Sequence, residues 1–217
     1  MDFATARVNM VESQLRTNKV VDEAVLDAFL MVPRERFVPA AYQGSAYVDD
    51  NLPLGNGRAL LAPMILARLL DAARIGNSDR VLDIGCGTGY GTAILARFAA
   101  SVVGVEEDGE LAGQARARLA ELGVLHAMIV DGPLEQGYAA GAPYDVIVIE
   151  GAVAAVPDSI AAQLAEGGRL VTVVRAGPGP GQATLMNRVR SVLSRRPLFD
   201  AAAPPLPGFV PVPSFVF

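Results

Sequence analysis

A glycine-rich turn is the segment of this sequence whose residue types and spacing point most clearly to chemistry. Asp83 lies near the end of an apolar run that leads directly into Gly85, Gly87 and Gly89. A strand, a glycine turn and a helix in this order let the backbone approach a nucleotide-like ligand closely. The dinucleotide spacing G-x-G-x-x-G would need a glycine where the chain has Tyr90. The complete G-x-G-x-G spacing therefore favours a different cofactor.

An acidic residue follows the turn at the distance that ribose recognition requires. Glu106 ends a second apolar segment and lies 21 residues beyond Gly85, close to the roughly 20 expected between such a turn and a ribose-binding carboxylate. A different interpretation is that Glu106, Glu107 and Asp108 only begin the next helix, since acidic residues favour helix N-termini. Because the glycines precede it, we interpret Glu106 as a group that accepts hydrogen bonds from ribose hydroxyls.

The elements that must position these residues alternate between strand and helix. Apolar runs predict strands at 81–84, 101–106, 125–130, 144–149 and 169–174, then edge strands at about 183–193 and 198–202. Helical patterns cover 4–16, 22–31, 63–74, 92–98, 109–122 and 158–165. We expect a doubly wound, Rossmann-like α/β sheet, in which ligands bind beyond the carboxyl ends of the strands. That edge would gather the glycine turn, Glu106, Asp131 and Glu150 around one crevice.

Charge and composition restrict the partners of this chain. The 217 residues carry a net charge of −5, and a nucleic-acid backbone would instead need a basic face. We therefore expect a small molecule, a peptide or a protein as substrate, and no nucleic acid. No apolar run approaches the roughly 18 residues of a membrane span, and the start lacks a basic-then-apolar signal, so we expect a cytoplasmic protein with no membrane partner.

Two residue types that often do chemistry occur once each. Cys86 is the only cysteine and His126 the only histidine, so we expect neither an intramolecular disulfide nor a metal site built from thiolates or several histidines. We interpret both residues as structural.

Further segments along the chain identify a family. Residues 10–16, 32–39, 46–49 and 52–55 resemble those of protein-L-isoaspartate O-methyltransferases in order and spacing, as do residues 81–95, 131–132, 144–149 and 167–170. The resemblance implies a class I methyltransferase that transfers a methyl group from S-adenosylmethionine to the free carboxylate of an isoaspartyl residue in damaged proteins. It also implies a cofactor site lined by Asp83, Gly85, Gly87, Gly89, Glu106, Asp131 and Gly132.

With this resemblance, the whole chain is expected to form one methyltransferase domain with three parts. Residues 1–78 would be an N-terminal helical extension with the acceptor loop, and residues 79–175 the cofactor-binding core. Residues 176–217 would add edge strands and a proline-rich tail. Because Phe209, Phe215 and Phe217 are too apolar for a solvated tail, we expect the tail to pack on the domain or to form an oligomer contact.

The acceptor loop, residues 55–63, departs from the family pattern G-x-G-Q-T-I-S-x-P. Ala59 replaces its threonine, and Leu61 replaces the serine associated with catalysis. Arg58 is either a surface arginine or a clamp for the acceptor carboxylate, because its planar fork can bind two oxygens. As a clamp, Arg58→Ala would reduce methyl transfer with little change in cofactor affinity. Glu150 either contacts the acceptor or caps a turn. The departures leave open a methyltransferase with a different acceptor, and a non-catalytic protein that binds S-adenosylmethionine.

Overall fold

A seven-stranded sheet lies at the centre of the described residues. The computed structural model describes residues 2–177, 179–190 and 192–209. The strands are β1 (Leu52–Gly55), β2 (Arg58–Leu60), β3 (Arg80–Ile84), β4 (Ser101–Glu106), β5 (Ala127–Asp131), β6 (Tyr144–Val153), β7 (Leu164–Val174), β8 (Gly181–Val189) and β9 (Val192–Ala201). The helices are α1 (Phe3–Met10), α2 (Glu23–Met31), α3 (Pro63–Ala73), α4 (Tyr90–Leu95), α5 (Gly109–Glu121) and α6 (Asp158–Ala161).

The strand order creates a crevice at the carboxyl end of β3. The central sheet has the order β5-β4-β3-β6-β7-β8-β9. Its first five strands pair in parallel, whereas β8 pairs antiparallel with both β7 and β9. The chain passes from β3 to β4 on one side and later returns to β6 on the other. Ligands of doubly wound sheets bind where the order reverses in this way. The expected Rossmann-like α/β architecture is confirmed.

The apolar composition of the central strands follows from their burial. All but one residue of β6 are buried, as are residues 81–84 of β3, because the sheet is covered on both faces. Helix α3 packs against β7 and β8, and its buried residues belong to the same apolar cluster as those of α2 and the sheet. The N-terminal region is therefore part of the main core.

The first predicted helix, 4–16, is not a single continuous α-helix in the structure. Helix α1 ends at Met10 and continues as a π-helical turn over Val11–Leu15 and a 3-10 turn over Arg16–Asn18. The helix predicted at 92–98 spans Tyr90–Leu95, and the strand predicted from residue 125 begins at Ala127, since Leu125 is 93% exposed.

Two predictions in the C-terminal half were also wrong. The helix predicted to reach residue 165 ends at Ala161, because Leu164 already pairs with Tyr144 in the sheet. The break predicted between 193 and 198 is absent from the described residues, since β9 runs through Pro197 with only a shift of register between residues 197 and 199. Proline is tolerated there because β9 is an edge strand. The hairpin instead turns after Val189, where Arg190 has a φ of 51°.

Part of the C-terminal tail packs on the sheet, as predicted. Leu206 and Phe209 are buried, and the amide of Leu206 donates to the carbonyl of Ala152 at 2.9 Å. Phe215 and Phe217 lie outside the described residues, so the oligomer contact stays a prediction. No helix in the described part of the chain is long and apolar enough to cross a membrane.

Candidate active site

The glycine turn connects β3 to α4 in a conformation that side chains would strain. The φ angles of Gly85, Gly87 and Gly89 are 76°, 55° and 89°, all in the left-handed region that favours glycine. The amides of Gly85 and Cys86 donate to the carbonyl of Val105 at 2.9 and 3.2 Å, which fixes the turn to the end of β4.

Glu106 lies at the base of this turn and is fully buried. Its carboxylate accepts hydrogen bonds from the amide of Gly87 at 2.7 Å and from the amides of Glu107 and Asp108 at 3.1 and 3.2 Å. These amides hold both oxygens at one place beside the glycines. We call the three glycines and the Glu106 carboxylate the cradle.

Arg58 lies across the cradle rather than free at an acceptor opening. Its Nη2 donates to Glu106 Oε2 at 2.8 Å and to the carbonyl of Gly85 at 2.9 Å, and its Nε donates to Glu106 Oε1 at 3.3 Å. The residue is 5% exposed. The structure therefore joins two residues to which the sequence assigned separate roles, ribose recognition and acceptor binding.

Two leucines complete a cover over the glycines. A Cβ built on Gly85 would lie 3.2 Å from Leu206 Cδ2, and one on Gly87 would lie 2.9 Å from Leu54 Cδ1. Leu54 belongs to β1, whereas Leu206 follows β9. We call Leu54, Arg58 and Leu206 the cover, and all three come from segments outside the parallel strands.

Asp83 and Glu150 form a buried carboxyl pair behind the turn. Asp83 Oδ2 accepts a hydrogen bond from Thr92 Oγ1 at 2.6 Å. Burial raises the pKa of Asp83 to about 6, and burial together with the nearby Asp83 raises the pKa of Glu150 well above its ordinary value. Neither Asp83 Oδ1 nor Glu150 Oε1 accepts a hydrogen bond from the described residues. The directions of both shifts favour one proton held by the pair at neutral pH.

Glu150 reaches this position because of Gly91, a glycine whose role the sequence does not indicate. A Cβ on Gly91 would lie only 1.5 Å from Glu150 Oε1. The carboxyl group of Glu150 therefore occupies the space beside helix α4 that a side chain at position 91 would need. Glu150 is 4% exposed, so in this structure it points into the protein and not into an open crevice.

Asp131 and Gly132 lie at the other side of the cradle. The amide of Gly132 donates to the carbonyl of Glu106 at 3.1 Å. The Asp131 carboxylate forms an ion pair with Arg116, and its side chain is 54% exposed. The structure thus brings Gly132 beside Glu106, whereas it keeps the Asp131 carboxylate outside the buried group.

Arg34 positions the acceptor loop, although the sequence alone did not predict it as a site residue. It is fully buried, and it donates to the carbonyls of Ala46 and Leu61, both at 2.7 Å. Its guanidinium lies 5.0 Å from the ring centroid of Tyr90, and burial lowers its pKa. The only signal in the sequence was its place in the family segment 32–39. The side chain of Leu61 is buried beside it and offers no hydroxyl.

The two structural interpretations agree with the contacts observed. Cys86 is buried in the turn, and burial raises the pKa of its thiol. His126 Nε2 lies 2.6 Å from the carbonyl of Ala96. No group of three or more metal-ligating side chains occurs among the residues that the structure describes.

The sheet order and the glycine turn at its switch point are those of a class I, S-adenosylmethionine-dependent methyltransferase. Residues 6–191 match the family described as protein-L-isoaspartate(D-aspartate) O-methyltransferase, and the chain belongs to this family. It is 40% identical over 206 residues to a protein-L-isoaspartate O-methyltransferase of Koribacter versatilis, covering 95% of this chain and 92% of the relative. For the enzyme of that name in Methylorubrum extorquens, the identity is 43% over 189 residues, with 87% and 81% covered.

Solved structures agree with this assignment. A protein-L-isoaspartate O-methyltransferase superimposes with a TM-score of 0.84 at 26% identity, over 93% of this chain and 66% of that one. A Plasmodium falciparum protein of the same description, solved with S-adenosyl-L-homocysteine, gives a TM-score of 0.77 at 18% identity, over 91% and 96%. At 18% identity, the second structure supports the assignment of the fold alone.

Proposed function

We propose that this protein methylates the free carboxylate of L-isoaspartyl residues in proteins and peptides, with S-adenosylmethionine as methyl donor. The observation that carries the proposal is the family match over residues 6–191, which includes both the acceptor loop and the cradle. S-adenosylmethionine would supply an electrophilic methyl group on a sulfonium. The task of the protein is then to align donor and acceptor and to exclude water.

The residues of the cradle suit this cofactor. Gly85, Gly87 and Gly89 would let the backbone approach it, and Glu106 would accept hydrogen bonds from the ribose hydroxyls. Asp131 and Gly132 would line the far side, and Asp83 would support the turn from behind. The cradle has the right donors and acceptors, but Arg58 and Leu206 must first move away from it.

The missing hydroxyls do not exclude the reaction. A carboxylate with a pKa near 4 is already ionised at neutral pH, so the displacement needs no general base. A serine at position 61 would only orient the acceptor. A hydrogen bond to a charged group contributes about 1.5–3 kcal/mol, so its loss reduces the rate by roughly 10- to 150-fold if the bond forms fully in the transition state.

One observation favours a second candidate function. Ala59 and Leu61 stand where the family pattern has hydroxyls, and Leu61 is 1% exposed, so the loop has apolar side chains at both positions. An acceptor with an apolar group beside its nucleophile would suit this loop better than a bare carboxylate. The alternative is therefore a methyltransferase of the same fold that acts on another acceptor.

Methyl transfer to a defined peptide tests the proposal. Radiolabelled S-adenosylmethionine is incubated with the protein and an isoaspartyl peptide, and the same peptide with a normal aspartyl residue is the control. We expect label only on the isoaspartyl peptide. No label on it, from a protein that binds S-adenosylhomocysteine, would refute the isoaspartyl assignment and favour the second acceptor. Transfer to neither peptide nor any other acceptor would leave a non-catalytic binding protein.

A further inference from the structure

Arg58 satisfies the hydrogen-bond acceptors that the cofactor would need. In the structure it donates to both Glu106 oxygens and to the carbonyl of Gly85. S-adenosylmethionine carries ribose hydroxyls and an ammonium group, which are donors of the same kind. We infer that Arg58 exchanges partners during the reaction: it binds Glu106 before the cofactor enters, and the acceptor carboxylate afterwards. This inference rests on the proposed function.

The first step of the exchange follows from competition for Glu106. Its oxygens already accept three backbone amides within 3.2 Å, so little bonding capacity remains beside the two bonds from Arg58. Ribose hydroxyls can bind the carboxylate only where Arg58 now binds it. Arg58 Nη2 also lies 3.1 Å from the position of a Cβ on Gly85, directly over the backbone that the cofactor would approach. Entry of the cofactor therefore requires Arg58 to leave.

The segment that carries Arg58 can move without breaking the main sheet. Arg58 begins β2, and β1 and β2 pair only with each other, in a two-stranded sheet. The connecting turn contains Asn56 and Gly57 at φ angles of 49° and 74°. Asn56 Nδ2 also donates to Asp108 Oδ2 at 2.7 Å, which ties the turn to the loop after β4. A shift of this hairpin therefore needs no strand pairing of the main sheet to break.

The second step follows from the charge that the shift releases. Once it leaves Glu106, the guanidinium needs another anion, because an unpaired cation in a largely buried place is unfavourable. Arg58 lies three residues before Leu61, the position of the family's catalytic serine, and so it stays next to the acceptor. The isoaspartyl carboxylate can bind the guanidinium fork through two parallel hydrogen bonds. Arg58 would then bind the acceptor group itself, in place of the missing hydroxyls.

The exchange predicts that the two ligands bind cooperatively. Cofactor binding releases Arg58 for the acceptor, so by linkage the acceptor must strengthen cofactor binding by the same factor. The exchange of partners also changes one prediction made from the sequence, that Arg58→Ala has little effect on cofactor affinity. Arg58→Ala should now alter cofactor affinity, because it removes the group that competes for Glu106.

Calorimetric titration of the full-length protein tests both steps without catalysis. Wild type, Arg58→Ala and the control Arg97→Ala, whose residue is exposed, are titrated with S-adenosylhomocysteine. We expect Arg58→Ala to bind it at least about fivefold more tightly than wild type, and Arg97→Ala to match wild type. An isoaspartyl peptide should bind wild type at least about fivefold more tightly when S-adenosylhomocysteine is present, both values being the low end of typical coupling. Arg58→Ala should lose that gain.

Two results would overturn the inference. One is an S-adenosylhomocysteine affinity that is unchanged or weaker in Arg58→Ala. The other is peptide binding to wild type that does not depend on S-adenosylhomocysteine, and this measurement stands even if the variant fails to fold. Methyl transfer to the isoaspartyl peptide without such coupling would refute the exchange and leave the proposed function intact. Tighter cofactor binding in Arg58→Ala without any transfer by wild type would instead refute the proposed function and the acceptor step with it.

Discussion

Replacing Glu150 with glutamine tests the shared proton behind the glycine turn. In the native protein, burial and the neighbouring Asp83 raise the pKa of Glu150 well above its ordinary value of 4.5. A carboxyl with a raised native pKa stabilises the fold below its unfolded pKa, and this contribution is lost as the pH rises toward the native pKa. Glutamine has the same shape and can donate a hydrogen bond to Asp83 without taking up a proton. The variant should therefore escape this loss.

The size of the effect follows from the proton that wild type must bind on folding. For each pH unit above the pKa of the unfolded state, keeping a carboxyl group protonated in the folded protein costs about 1.4 kcal/mol. With an unfolded value of 4.5, keeping Glu150 protonated at pH 7 costs about 3 kcal/mol, and at pH 5 less than about 1 kcal/mol. Glu150→Gln should thus raise the free energy of unfolding by up to about 3 kcal/mol at pH 7, and by little at pH 5.

Urea denaturation of wild type and Glu150→Gln at pH 5, 6, 7 and 8 measures this difference. Glu110→Gln, which changes an exposed carboxylate, is the control and should differ from wild type by less than about 0.5 kcal/mol at each pH. A gain for Glu150→Gln that is the same at pH 5 and pH 7 would refute the shared proton. So would a loss of stability at pH 7, because it would mean that Glu150 is ionised in the native protein.

Three further substitutions test the packing around the site. Gly91→Ala should destabilise the fold by about 1–3 kcal/mol through overpacking, and a double-mutant cycle with Glu150→Ala should remove most of that cost; an undiminished cost would mean that the clash lies elsewhere. Arg34→Met should lower the free energy of unfolding by about 2–4 kcal/mol, because two buried carbonyls lose their donors, whereas the exposed Arg36→Met should change it little in the same urea titration. Leu61→Ser should raise kcat for an isoaspartyl peptide by roughly tenfold or more while lowering stability by about 2–5 kcal/mol; an unchanged kcat would show that the serine is not what limits the rate.

The sequence predicted the parallel strands and the cradle because their signals are local. An apolar run, a glycine spacing and an acidic residue at a fixed distance specify how β3, Gly85 and Glu106 meet, since each depends on neighbouring residues in one strand, turn and helix unit. The strands at the edge of the sheet were less predictable. The hairpin of β8 and β9 was misplaced because an edge strand accepts Pro197 where a central strand would not.

The contacts that close the site could not be predicted, because they join distant segments of the chain. Arg58 and Glu106 are 48 residues apart, and Leu206 reaches Gly85 from the other end of the sequence. Nothing near Arg58 in the sequence indicates whether its partner is a carboxylate of the substrate or one of the protein. The place of Glu150 likewise depends on the space left by Gly91, which a single sequence shows only as one more glycine.

The charges around the cradle give the exchange of Arg58 a further physical reason. Three buried carboxyl groups, those of Asp83, Glu106 and Glu150, lie near the carboxyl ends of neighbouring strands. One shared proton neutralises part of this charge, and Arg58 balances Glu106. A cofactor that carries a sulfonium and an ammonium group would replace one cation with others, so the buried acids stay compensated while Arg58 is away. Methyl transfer would leave the cofactor as a neutral thioether and the acceptor as a neutral ester, so Arg58 would lose the anion that it had bound. Arg58 would then return to Glu106, and the residue that covers the cradle would thereby favour release of the spent cofactor.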